Sequence, residues 1–419
     1  MKILILSDYF SPQSFGGAGI VSFADAKALS ERGHDVSVIT TTTDRSHIGE
    51  ASFEGIRIFT IYSDYDQAWR GYISLYNPQV TNEVRKIMSR MHPDIVHAYN
   101  IHTYISYYSL KLARRSGAKV FITMHDVMAV HYGKFNEFID LSELSVPKGF
   151  NYRITPWTLI RTFKLRYNPF RNMVIRHYLR YADKIFAVSG ALKQVLNAND
   201  IGNVEVLHNS MDFKKWDAPA ADVARFAEKL GLVGKKVVLF SGWVTAAKGG
   251  DQILEAFGKT LERVPSAVLV CAGRTDLYYS SMKEEAKKLG LGDKIVFTGW
   301  IGGPDLPVSY AAADLVVFPS VCFDTFGMVN LEAMASKKPV IATCFGGAPE
   351  VVEDGRTGYV VNPYDIDTMA VRIIELLSDA DKARAFGQAG YERARRLFDK
   401  QKKIEELISW YERRSPRSL

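Results

Sequence analysis

The sequence predicts an α/β protein made of two doubly wound, parallel-sheet domains, on three observations. Short, nearly uninterrupted apolar runs alternate with longer segments of helical periodicity, as expected when helices cover both faces of a parallel sheet. The alternation restarts after Pro219, where a helical segment leads into a fresh apolar run, Lys236-Val-Val-Leu-Phe240. At 419 residues the chain also exceeds what one hydrophobic core ordinarily serves.

Composition narrows the class. A hydrophobic content of 47% and a charged content of 24% are those of a soluble globular protein. A net charge of +7 favours an anionic partner: a phosphorylated substrate, nucleic acid or a membrane surface. No apolar run approaches the ~20 residues that span a bilayer, and no signal-peptide pattern precedes the first strand, so a cytoplasmic protein is expected. Cys271, Cys322 and Cys344 give an odd count without metal-ligand spacing, which fits reduced thiols.

The elements follow in order. Lys2–Leu6 is the first strand, and the loop after it carries Gly16, Gly17 and Gly19. The next helix runs from Ile20 to Arg32 and stops at Gly33, in the left-handed position favoured at helix ends. Val36–Thr40 is the second strand. The adjacent Gly16 and Gly17 let backbone approach a ligand closely, but their spacing is not the dinucleotide fingerprint, and a plain strand-to-helix turn explains them equally. Strands at Ile56–Ile61, Asp94–His97 and Lys119–Thr123 alternate with helices over 79–91 and 103–116. The last of these strands runs into His125, an imidazole at a carboxyl-end loop that serves either the fold or a site.

Residues 144–182 change character. They hold Lys148, Arg153, Arg161, Lys164, Arg166, Arg171, Arg176 and Arg180, no Asp or Glu, and interleaved aromatics such as Trp157, Phe163, Tyr167 and Phe170. Arg153, Arg161, Lys164, Arg166 and Arg171 suit an anionic acceptor or an anionic membrane surface. A solvated basic helix whose aromatics pack inward is the alternative. No nucleic-acid reading module is present, so a nucleic-acid partner is not expected.

Strands at Asp183–Ser189 and Val204–Leu207 bring the chain to a domain boundary near 209–214. The second half has strands at 236–241, 267–272, 294–298, 315–319, 339–343 and 358–361. Lys248, beside glycines in the turn after the first of these, either neutralises a phosphate or is solvated. Residues 379–414 have the pattern of one charged amphipathic helical tail.

The stretch Ala313–Ala335 carries the densest chemistry. Strand Leu315–Pro319 leads through a polar loop to a helix that opens near Phe326 and reaches Lys338, where Pro339 stops it. Asp324 and Glu332 flank the helix opening with seven residues between them. Free N–H groups of Phe326, Gly327 and Met328 present the positive end of the helix dipole. A carboxyl-end loop with these groups suits a ligand that is part anion and part polyol.

With its neighbours Phe297-Thr-Gly-Trp300, Leu306–Tyr310, Phe326–Ala335, Pro339–Thr343, Gly346–Glu350 and Gly355–Gly358, this stretch resembles the retaining GT-B glycosyltransferases of glycosyltransferase family 4. The resemblance runs along nearly the whole chain, with Gly16, Gly17, His125, His208–Asp212 and Lys248 in matching places. It implies two facing Rossmann-like domains with a cleft between them: residues 1–210 plus 398–419 on the acceptor side, and 211–397 for the nucleotide-sugar. It also implies transfer of a sugar from a UDP- or GDP-sugar to a glycan or lipid-linked acceptor, with retention and with neither metal nor cofactor. Position by position, it assigns Glu332 to the ribose hydroxyls and Asp324 to the transferred sugar. The backbone of Phe326, Gly327, Met328, Val329 and Asn330 is assigned to sugar hydroxyls and diphosphate, and Trp300 and Ile301 to the base. Lys248 offsets diphosphate charge, Gly17 lets the N-terminal loop close, and His125 lies near the sugar. His125, Asp324 and Lys248 are the catalytic set so implied.

Two positions depart from the family pattern. Asp324 stands where the family has Glu, and Trp243 stands where it has the Arg of a Gly-Arg pair. A lost charge-assisted contact of that kind is worth ~1.5–3 kcal/mol, and Arg274 is the expected substitute. The departures also keep open a non-catalytic nucleotide-sugar-binding homologue. A soluble transferase or a phosphorylase acting on a small acceptor is the remaining enzymatic alternative to a membrane-peripheral enzyme of cell-surface glycan synthesis.

Overall fold

The computed structural model describes residues 1–13, 17–273 and 277–413; Gly16 and Arg274 lie outside them. The chain forms two compact units. The first comprises Met1–Gly133, Tyr152–Ser210 and Lys400–Leu419, and the second Lys134–Asn151 and Met211–Asp399. Residues 134–151 are thus packed with the second unit, not with the N-terminal half to which the sequence assigned them.

The first unit holds strands β1 (Lys2–Leu6), β2 (Asp35–Thr42), β3 (Gly49–Phe53), β4 (Ile56–Tyr62), β5 (Ile95–Ala98), β6 (Lys119–Met124), β7 (Lys184–Ala187) and β8 (Val204–Val206). Their order in the sheet is β3-β4-β2-β1-β5-β6-β7-β8. Neighbours are parallel except β3 and β4, an unforeseen hairpin. Its two-residue turn has Glu54 and Gly55 both at positive φ, 47° and 82°, the geometry that matches strand twist.

The second unit holds β9 (Lys236–Gly242), β10 (Ala267–Gly273), β11 (Ile295–Gly299), β12 (Leu315–Phe318), β13 (Val340–Thr343) and β14 (Gly358–Val361), all parallel, in the order β11-β10-β9-β12-β13-β14. The strands that read as continuous Val, Ile and Leu runs are buried on both faces, as in β12 and β13. Setting aside the edge hairpin of β3 and β4, the strand order reverses once in each sheet, at β1/β5 and at β9/β12. The crevice outside the carboxyl ends at such a reversal is where open α/β sheets bind ligands.

Four helices differ from expectation. The one expected over Ile20–Arg32 spans Gly17–Ser30 and so takes in Gly17 and Gly19; the other three differ each for a local reason. The helix expected over 103–116 spans only Tyr108–Arg115. Asp8, at the end of β1, captures the N–H groups of Thr103, Tyr104 and Ile105 at 2.6, 3.0 and 2.7 Å, which holds that segment out of the helix. The helix expected to open at Phe326 spans Met328–Ala335, because Gly327 precedes it with φ of 79°. The C-terminal tail is two helices, Ala380–Leu397 and Lys400–Glu412. They part at Phe398, whose carbonyl accepts from Met211 N–H at 2.9 Å.

The last helix belongs to the first unit through a buried polar network. Lys403 donates to Asp25 at 2.7 Å, and the Tyr99 hydroxyl donates to the same carboxylate oxygen at 2.8 Å. His97, between Thr123 and Tyr411, extends it, and burial holds its imidazole well below the ordinary histidine pKa.

Candidate functional site

The second unit's site is built where β9 and β12 end. The turn after β9 runs through Ala246–Lys248 and Gly249 into the helix Gly250–Leu261. The loop after β12 is stitched to it: Val321 N–H and the Ser320 hydroxyl both donate to the Ala247 carbonyl at 3.1 Å. Two glycines permit this closeness. Gly249, at φ 83°, lies where a Cβ would fall 2.0 Å from the Pro319 carbonyl oxygen. Gly346, at φ 87°, lies where one would fall 2.0 Å from the Asp324 carbonyl oxygen, so neither position accepts a side chain.

This stitching sets Lys248 directly on Asp324, in a hydrogen-bonded ion pair whose ammonium also lies 5.0 Å from the centre of the Phe318 ring. Burial opposes the Lys248 charge, but the adjacent Asp324 carboxylate outweighs it and holds the pKa above the ordinary lysine value. The other Asp324 oxygen accepts from Phe326 N–H at 3.3 Å. That N–H is therefore engaged, contrary to expectation. Asn330 N–H is engaged too, by the Gly327 carbonyl at 2.9 Å, and the Asn330 side chain is fully buried. The first-turn N–H groups of Met328 and Val329 have no partner among the described residues, so the anion-binding backbone is narrower than the five residues expected.

Glu332 lies one turn further along the same helix. It accepts from the buried Tyr310 hydroxyl at 2.5 Å. Burial pushes its pKa up, and the Tyr310 hydrogen bond pulls the other way. Tyr310 was not singled out from the sequence, although a tyrosine at the end of an otherwise apolar helix face is a usable signal for a buried partner. Trp243, just after β9, and Trp300, just after β11, are half-exposed, and Ile301 is partly buried.

The loop's far side is covered by residues 134–151. Phe135 and Phe138 pack on Phe323 with ring centres 6.0 and 5.9 Å apart, and Phe138 and Phe150 pack on Phe345 at 5.8 and 5.9 Å. Phe323 N–H donates to the Phe135 carbonyl at 2.8 Å, and Asn362 donates to the Glu143 carbonyl at 2.8 Å. This aromatic strap was missed because it lies in a segment that forms neither helix nor strand, with Phe150 twelve residues beyond Phe138.

In the first unit, Gly17 opens the helix Gly17–Ser30, with open space where a Cβ would sit. His125 follows β6 and stacks on Tyr99, ring centres 5.7 Å apart. Burial, with a smaller contribution from the Lys403 charge, lowers its pKa to about 3. Its imidazole is therefore neutral at ordinary pH and offers a hydrogen bond, not a charge. Beside it Asp126 accepts from Asn100 at 3.1 Å and lies 3.6 Å from His102 Nε2, a polar cluster that sequence spacing did not show.

The basic stretch divides. Arg171 is wholly buried and donates to the Met128 carbonyl at 2.5 Å, so it faces neither acceptor nor membrane. Arg153 is held by Asp200 at 3.0 Å. Arg161, Lys164 and Arg166 are exposed and enter no ion pair among the described residues. Tyr152, Leu159 and Tyr167 do pack inward, but Trp157 and Phe170 do not.

Among the described residues no group of three or more His, Cys, Asp or Glu is placed to hold a metal ion.

Comparison with known proteins bears on this geometry. The family model for Glycosyltransferase Family 4 matches residues 15–215, and that for Glycosyl transferases group 1 matches residues 222–393. A GDP-mannose-dependent alpha-(1-6)-phosphatidylinositol monomannoside mannosyltransferase of Mycolicibacterium smegmatis is 36% identical over 180 residues, 41% of this chain and 47% of the relative. The chain spans about half the length of such curated relatives. The N-acetyl-alpha-D-glucosaminyl L-malate synthase of Bacillus anthracis is 24% identical over 413 residues, 95% of this chain and 93% of the relative. Among solved structures, a sucrose-phosphate synthase from Thermosynechococcus elongatus matches with a TM-score of 0.77 at 21% identity, covering 98% of both chains. Anabaena HepE, solved in complex with UDP and glucose, matches with a TM-score of 0.72 at 20% identity, also over 98% of both. At these identities the structural likeness shows the fold.

Proposed function

Since the chain belongs to the GT-B glycosyltransferases, family 4 by its first half and group 1 by its second, we propose that it moves a sugar from a nucleotide-sugar to a glycan or lipid-linked acceptor. The observation that carries this is the gathering of Lys248, Asp324 and Glu332 around the amino end of Met328–Ala335, at the strand reversal of the second unit.

Each group has a task in that reaction. Glu332, fixed by Tyr310, accepts from the ribose hydroxyls. The unpaired N–H groups of Met328 and Val329 meet the diphosphate, and Lys248 supplies the compensating charge as the bond to the sugar breaks. An arriving diphosphate competes with Asp324 for the Lys248 ammonium. Asp324 is then released to accept from a sugar hydroxyl, which links donor binding to sugar recognition. We assign retention of configuration, with the departing diphosphate as the base for the acceptor. Synthesis of cell-surface glycan at an anionic membrane is the setting we favour. The UDP bound by the Anabaena relative and the GDP-mannose used by the mycobacterial one support a nucleotide-sugar donor.

A non-catalytic nucleotide-sugar-binding homologue is the second reading, favoured by Trp243 where an arginine is expected. One experiment separates them. UDP, GDP, ADP and CMP are screened by thermal shift, then the matching nucleotide-sugars are incubated with protein. The proposal predicts that one nucleotide stabilises the protein and is slowly released from its sugar conjugate. Stabilisation without release, even with lipid extract as acceptor, selects the non-catalytic reading.

A further inference from the structure

We infer that the first unit carries a docking surface for an anionic lipid bilayer: an apolar wedge with a basic collar, formed by two turns packed on each other. This deepens the proposed function by giving the lipid-linked acceptor a place of encounter, and it rests on that reading only for its purpose.

One turn is the 3₁₀ segment Gln67–Trp69 with the short helix Arg70–Ile73. The other is the helix Pro156–Phe163 with the 3₁₀ segment Lys164–Arg166, leading to the helix Arg171–Leu179. They are in direct contact. The Tyr72 hydroxyl donates to the Leu165 carbonyl at 3.4 Å, and a Cβ on Gly71 would fall 2.5 Å from the Arg166 carbonyl oxygen.

The side chains on this surface are of the wrong kind for water. Leu165 is 91% exposed, Trp157 79%, Phe170 66%, Trp69 59% and Met173 56%. Single exposed apolar residues are ordinary, but a cluster marks an interaction surface. The core does not account for it, because the same helix turns Leu159 and Phe163 inward, Phe163 against Tyr132 with ring centres 5.2 Å apart. Its outward face carries Trp157 and Arg161, spaced i and i+4. Leu165, the most exposed of all, is the tip of a turn flanked by Lys164 and Arg166.

Charge selects the occupant. Arg161, Lys164 and Arg166 enter no ion pair among the described residues, and residues 144–182 hold no carboxylate. Asp66, the carboxylate nearest the first turn in sequence, caps it by accepting from Ala68 N–H at 2.8 Å. Across residues 144–182, Trp, Leu and Phe beside Lys and Arg with no acid is the composition of segments that lie in the bilayer interface, and the exposed Asp64 and Asp66 flank only the first turn. The aromatic rings suit the headgroup level, and the cations meet lipid phosphate. Among the described residues no helix is long and apolar enough to cross a membrane, so this contact is one made from the surface.

The full-length protein is sedimented with phosphatidylcholine vesicles that contain or lack phosphatidylglycerol. The protein is expected to pellet only with the phosphatidylglycerol vesicles and to be released by high salt. The triple variant Arg161→Gln, Lys164→Gln, Arg166→Gln is expected to bind roughly a hundred-fold more weakly, from the worth of each cation near an anionic surface. Leu165→Glu is expected to bind about ten-fold more weakly or worse, since it removes a buried apolar side chain from the complex. Both variants should melt with the wild type, their side chains being exposed. Wild type left in the supernatant with anionic vesicles overturns the inference, as does a triple variant that pellets like wild type. Nucleotide-sugar hydrolysis by lipid-free wild type is read alongside. Hydrolysis without vesicle binding overturns the docking surface and leaves the transferase standing; vesicle binding with no hydrolysis, even when lipid extract is supplied as acceptor, does the reverse.

Discussion

Lys248→Met is expected to lower turnover by about two to three orders of magnitude, the loss that follows removal of one preorganised group from a developing anion. It also strips Asp324 of its cation. That carboxylate is nearly buried, its side chain 8% exposed, while Lys248 keeps 20%. Removing one partner of a buried pair costs about 3–5 kcal/mol, and the residual access to water places this pair at the lower end. The two consequences separate in the double variant Lys248→Met, Asp324→Asn, which leaves no unpaired charge. It should regain most of the thermal stability and none of the turnover. Steady-state nucleotide release and thermal midpoints measured on all three proteins decide the matter. A double variant that turns over like wild type would remove Lys248 from the chemistry and leave it a structural cation.

The second large effect is on folding. Lys403→Met is expected to destabilise the first unit by about 3–5 kcal/mol, because it leaves the Asp25 carboxylate buried and unpaired. Lys403 and Asp25 side chains are 6% and 2% exposed, and the pair joins residues 378 apart in sequence. For a unit of this size the midpoint should fall by roughly 10 °C. Amide exchange in Lys400–Glu412 should quicken in parallel, since this ion pair fixes that helix to the sheet. Asp25→Asn in the same chain should restore most of the loss by removing the charge while keeping an acceptor for Tyr99. A single variant with unchanged midpoint and exchange would show that the helix is held by Ile404, Leu407 and Tyr411 burial instead.

Which features the sequence disclosed follows from where their causes lie. The strands of both sheets other than β3 were legible because their causes are local: apolar runs rich in β-branched residues, such as Leu315–Phe318, bury both faces whatever surrounds them. Asp324 and Glu332 were legible because a helix opening between two carboxylates is a local pattern with a chemical meaning. The exact opening was not, since Gly327 takes a left-handed φ and delays the helix to Met328. Longer-range causes stayed hidden. Asp8 shortens a helix a hundred residues away by taking its N–H groups. Arg171 counts as a surface charge in any composition, yet it is buried against Met128. The Lys248–Asp324 pair needs two loops 76 residues apart to be stitched through Ala247. The strap of Phe135, Phe138 and Phe150 lies in a segment without helix or strand, so only its packing on Phe323 and Phe345 reveals it.

The central claim is that a nucleotide-sugar sits on the Met328–Ala335 helix with its ribose on Glu332. The direct measurement is a calorimetric titration with the nucleoside diphosphate that stabilises the protein and with its 2′,3′-dideoxy form, on wild type and on Glu332→Ala. A hydrogen bond to a charged group is worth about 1.5–3 kcal/mol, so wild type should bind the dideoxy form ten-fold or more weakly. Glu332→Ala should bind both forms with equal, reduced affinity. A dideoxy penalty that persists undiminished in Glu332→Ala would place the ribose elsewhere and contradict the account.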